Sequence, residues 1–152
     1  MPVKRPIFLV AAVLDARFAV AAAGAGELVN KDESNLAIKG YDAVAYFTMR
    51  RPVAGKTDFT YVWHDATWQF ASAEHRNLFA GNPRRYAPRY GGFCAGAMAQ
   101  GMKVPVDPQA WVIIDDKLYL SYQKRFIQEF AQDAPRNIAK ADENWKQLGR
   151  TP

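Results

Sequence analysis

The sequence predicts a single α+β domain: a small antiparallel sheet built from hairpins, with helices packed on one side and a C-terminal helical segment. Three observations predict it. FTYVW at 59–63 and TWQFA at 67–71 alternate aromatic and polar residues at the strand period. WVIID and LYLSY form a second such pair later in the chain. Phe126, Ile127 and Phe130, then Ile138, Ala141, Trp145 and Leu148, recur at helical spacing near the end. Strands paired locally and helices gathered at one end are the pattern of α+β domains.

The 152 residues suit one domain, and a 49% hydrophobic, 13% aromatic composition supplies its core. The net charge of +5 comes from 20 basic and 15 acidic residues. The basic residues form no stripe, and their densest groups, Arg50-Arg51 and Arg84-Arg85 with Arg89, lack the spacing of a recognition helix. We therefore expect no nucleic acid as partner. A single cysteine forms no internal disulfide and leaves the redox compartment open.

Residues 1–23 have the layout of an export signal: Lys4 and Arg5, the apolar run Ile7 to Leu14, then small residues. Asp15 and Arg17 interrupt it. The run is too short to cross a bilayer, which takes about 20 apolar residues, so no membrane span is expected. A periplasmic or secreted location follows, and removing residues 1–23 leaves 17 basic and 14 acidic residues. Residues 24–35 are polar and read as a linker, with the domain over 36–149.

Within that domain, Val44 to Phe47 reads as a short strand, and Thr48 to Asp58, with Pro52 and Gly55, as a loop. The first hairpin turns at His64-Asp65-Ala66. Ser72 suits the N-cap of the helix AEHRNLFAG, with Glu74 in its first turn facing the positive end of the dipole. Gly81-Asn82-Pro83 stops that helix and PRRYAPRY forms a turn. FCAGAMAQGM reads as a second helix, so rich in Ala and Gly that it packs closely on a neighbour. Asp116-Lys117 joins the second hairpin, and Pro135 breaks the C-terminal helical segment in two.

The stretch HDATWQFASAEHRNLFAGNPRRY resembles the core of the YHS domain, through Trp68, Phe70, Ser72, Phe79, Asn82, Pro83 and Tyr86. GYDAVAYF before it, with RYGGFCAGAMAQG and DPQAWVIIDDKLYLSY after it, looks like the bacterial exported single-domain branch. The resemblance spans about residues 36–148. It implies a metal-binding option, because members of the broader family place cysteines around this hairpin and helix. Here Ala71 and His75 stand at the two helix positions, and GYDAVAYF lacks the upstream cysteine. A closed zinc site normally takes four Cys or His ligands. Cys94, His64 and His75 are the only such residues, so that site is not expected.

A smaller soft-metal site remains. Cys94 and His75 would share the ion if their helices meet, with Met98, four residues after Cys94, or Met102 as a further donor. Such a set suits copper, with zinc a poorer fit. Against this, a free cysteine in a small-residue helix often serves as a buried apolar residue, Met98 at helical spacing suits a core, and His75 can simply bond a carbonyl. His64 reads as a solvated turn residue. A nucleophile pair of Cys94 and His75 lacks an orienting group, since Glu74 points about 100 degrees away around the helix, and we expect no enzyme. The alternative is a metal-free module that binds a protein partner or small ligand in an aromatic-lined pocket around Tyr86, Tyr90, Phe93, Trp111, Tyr119 and Tyr122, with Arg85 and Arg89 at its rim.

Overall fold

The structure, a computed structural model, describes residues 27–149. The leader expected over residues 1–23 lies outside them. The elements run α1 (Ala45–Thr48), β1 (Lys56–Trp63), β2 (Ala66–Phe70), α2 (Ala73–Gly81), α3 (Pro83–Tyr86), α4 (Ala95–Ala99), β3 (Asp107–Ile114), β4 (Lys117–Ser121), α5 (Lys124–Gln132) and α6 (Ala134–Leu148). This is an α+β fold with two antiparallel hairpins, β1-β2 and β3-β4, each a two-stranded sheet.

Both hairpins close through two-residue turns. His64 and Asp65 have φ of 49° and 59°, Asp115 and Asp116 φ of 50° and 60°. Left-handed values at both central residues mark the turn whose twist matches the strands it joins. The second turn is Asp115-Asp116, one residue earlier than the sequence pattern suggests, because Ile114 pairs with Lys117. Two-stranded ribbons are marginal alone, so each needs a helical cover.

That cover forms two apolar cores. One gathers Trp68, Phe70 and Phe79 with Val44, Tyr46 and Cys94. The other gathers Tyr90, Phe93, Met98, Ile127 and Phe130. β4 separates them: Leu118 and Leu120 enter the first, Tyr119 the second. Successive strand residues point to opposite faces, and here both faces are buried.

Three expectations need correction. Val44 to Phe47 is not a strand: the carboxylate of Asp42 accepts from the Val44 and Ala45 amides at 2.9 and 3.1 Å and starts the helix α1 instead. Pro83 opens α3 where a turn was expected, a position that needs no N–H donor; the break expected at Pro135 does occur, with α5 ending at Gln132 and Pro135 in the first turn of α6. Residues 27–35 are no detached linker. Val29 is buried, the Asn30 amide donates to Gly91 O at 2.8 Å, and Lys31 bridges to Ala37.

Candidate functional site

The described residues carry two chemical features, and the sequence-predicted site residues divide between them. The first is a cavity of about 470 Å³ lined by Cys94, Ala97, Met102, Tyr122, Phe126 and Phe130, among others. Its origin is local. α4 contributes Gly96, Ala97 and Ala99 to the wall, and these small side chains leave unfilled the space that larger ones would occupy. A Cβ built on Gly96 would find its nearest neighbour, Phe126 O, only at 4.0 Å. The tight contact expected of this helix exists on its other side, where Met98 is buried and Asn144 of α6 donates to Met98 O at 2.9 Å.

Cys94 is 2% exposed and sits in the wall of this cavity. Its sulfur accepts from the Tyr122 amide at 3.4 Å and lies 3.4 Å from Ser121 Oγ. Met102, Tyr122 and Phe126, each at least 38% exposed, stand around the same cavity and give it an apolar mouth. Gln100, Glu129 and Asn137 supply its polar groups.

The second feature centres on His75. Ser72 Oγ accepts from the His75 amide at 3.1 Å and caps α2, as its position suggested. The imidazole reaches back across the chain: Nδ1 lies 2.6 Å from Asp42 Oδ2, and Nε2 lies 3.0 Å from Thr48 Oγ1. Asp42 is fully buried, and its carboxylate also accepts from the Val44, Ala45 and Ala71 amides. A carboxylate only accepts. Nδ1 therefore carries the hydrogen, and in the neutral ring Nε2 presents its lone pair to the Thr48 hydroxyl.

The expected metal set of Cys94, His75 and Met98 is thus not assembled. His75 is engaged by Asp42 and Thr48, Cys94 by Ser121 and Tyr122, and Met98 is fully buried in the other core. Among the described residues no group of three His, Cys, Asp or Glu side chains is arranged to hold a metal ion. Cys94 and Met102 do line the same cavity. No protein-family model, curated protein or solved structure matches the chain.

The aromatic pocket changes its membership. Tyr90, Phe93 and Tyr119 are buried core, and Trp111 stacks edge-on to Tyr46 at 5.4 Å between centroids. Of the six aromatics expected there, Tyr122 alone lines the cavity, joined by Phe126 and Phe130 of α5. Arg85 and Arg89 line a separate, charged groove with Arg84, Asp115, Asp116 and Lys117. Arg89 is 3.7 Å from Asp142 there, and Arg85 lies over the Tyr86 ring. His64 is exposed in its turn, its ring tilted against Trp63; partial burial, then the nearby Arg84 charge, lower its pKa.

Asp42 and Thr48 are the residues that sequence reasoning missed. The available signal was Asp42 immediately before an apolar run, a place from which a carboxylate bonds the amides two and three residues on. No local rule brings that carboxylate to a histidine 33 positions later.

Proposed function

We propose that this chain is an exported binding protein, built on a YHS-like domain, that takes a small apolar ligand in the cavity beside Cys94. One observation carries the reading: an open cavity of about 470 Å³ whose mouth is lined by exposed Met102, Tyr122 and Phe126. Ligand sites run about 300–1,000 Å³, mostly apolar with a few placed polar groups. Gln100, Glu129 and Asn137 are such groups, and they favour a ligand with an apolar body and a hydrogen-bond donor for the carboxylate of Glu129.

The test uses the neutral apolar fluorophore N-phenyl-1-naphthylamine. Saturable binding is expected, and it should slow the reaction of Cys94 with a disulfide reagent, since both occupy one space. Ala97→Phe fills the cavity and should abolish both effects. Fluorescence that never saturates, or that survives Ala97→Phe unchanged, would sink the reading.

A soft cation at Cys94 is the second reading, favoured by Met102 lining the same cavity. Thiolate and thioether donors suit copper(I) better than zinc. Titration with copper(I) under reducing conditions should then show one equivalent bound, lost in both Cys94→Ala and Met102→Leu and retained in His75→Ala. Equal binding by all four proteins would remove it.

A further inference from the structure

Thr48, His75 and Asp42 lie outside the cavity, and their geometry is that of a nucleophile, a base and an orienting carboxylate. From the 3.0 Å contact of Thr48 Oγ1 with His75 Nε2 and the 2.6 Å contact of His75 Nδ1 with Asp42 Oδ2, we propose that the Thr48 hydroxyl is an activated nucleophile that takes an acyl group from small esters.

A hydroxyl is a weak nucleophile until a base stands within about 2.6–3.2 Å to take its proton, and that base needs a third group to fix its tautomer and orientation. Both distances fall in that range. Asp42 cannot swing away, because three backbone amides hold its oxygens. The imidazole of His75 is held in turn by its Nδ1 contact with Asp42 at 2.6 Å, while the Ser72 cap fixes the backbone that carries it. The Thr48 hydroxyl has one competing acceptor, Val44 O, at the longer distance of 3.3 Å.

Access is equally specific. Thr48 is exposed at the end of α1, and the His75 side chain is 12% exposed, so one edge of the pair meets solvent. Met49, next to Thr48, is 41% exposed, and Leu78, three residues beyond His75 on α2, is 38% exposed. These apolar shoulders suit a short acyl chain. The exposed position of Thr48 suits small esters reached from solvent.

Thr48 Oγ1 bonds to the ester carbonyl carbon while its proton passes to His75 Nε2, and the carbonyl π pair moves onto oxygen. That pair returns, the bond to the leaving alkoxide breaks, and His75 gives the alkoxide its proton. Acyl-Thr48 and an alcohol result. Water then repeats the sequence, with His75 taking its proton and returning it to Thr48. Asp42 stays a carboxylate throughout, facing the imidazolium.

The experiment incubates the protein with p-nitrophenyl acetate and maps acetyl groups by peptide mass spectrometry. Thr48 should carry the acetyl group. Thr48→Val, which keeps the side-chain shape, should abolish that adduct, and Thr48→Ser should retain it. His75→Gln should slow acylation by about 100-fold, the low end for loss of a general base, with an unchanged circular dichroism spectrum. Acetyl groups spread over lysines at rates that neither variant alters would overturn the proposal and leave the three residues a structural clip. Ester hydrolysis that survives Thr48→Val but not His75→Gln would overturn it too, since the imidazole would then act on water directly.

Discussion

Asp42 is fully buried, yet both of its oxygens are occupied: Oδ1 accepts from Val44 and Ala45, and Oδ2 from Ala71 and His75. Asp42→Ala would leave those amides without a partner inside the protein. A buried donor left unsatisfied costs about 1–3 kcal/mol, which urea denaturation would report as a lower midpoint at unchanged slope. Buried tyrosines govern a second property of single residues. Burial raises the pKa of Tyr46, Tyr90 and Tyr119 above 10.0, helped at Tyr90 by its bond to Asp142. These groups keep their protons in the folded chain where the unfolded chain loses them. Their contribution is therefore complete below about pH 10 and declines as the pH rises above it. Denaturation midpoints should fall between pH 9 and about 11, and at least two of the seven tyrosines should show no tyrosinate absorbance until the protein unfolds. Tyr46→Phe and Tyr90→Phe should flatten that decline.

Among the elements, α2 is fastened to the first hairpin through one side chain. Phe79 packs against Tyr61, Trp63, Trp68 and Phe70, with centroids 5.0–6.1 Å apart. Phe79→Ala should cost about 3–5 kcal/mol, and calorimetry should show a single transition at a lower temperature. An unshifted transition would mean that the hairpin closes over the gap. The hairpins and the long helices were legible in the sequence because alternation and helical spacing are local signals. α1 was not, because AVAYF is a short apolar run that suits a buried strand as well as a helix, while the carboxylate that starts the helix acts from outside the window. The cavity was half legible. Cys94, Tyr122 and the small residues of α4 stood out, but whether small residues close a gap or leave one depends on how far away α5 sits, and no spacing encodes that. His75 was singled out for a metal, and its real neighbours come from α1 and from the turn before it.

At the scale of the whole molecule, residues 27–37 act as a strap. Asn30 bonds Gly91 and Gly92, Ile38 bonds Asn30, and Lys103 Nζ donates to Glu27 O. Gly91 has φ of +63°, and a Cβ there would strike the Leu28 carbonyl. Gly91→Ala should therefore loosen the strap and lower the melting temperature, as should deletion through Asn30; an undisturbed melting curve in both would show the strap to be dispensable. β4 has a different standing, with Leu118, Tyr119, Leu120 and Ser121 all at most 2% exposed. In a strand with one wet face, a slip by one residue drives apolar side chains into water and corrects itself. β4 has no wet face, so polarity offers it little proofreading. Its alignment depends on side-chain volume, on Ser121 meeting Cys94, and on the turn at Asp115-Asp116. Two exposed aspartates in a loop thus hold the alignment that keeps the two cores from exchanging residues.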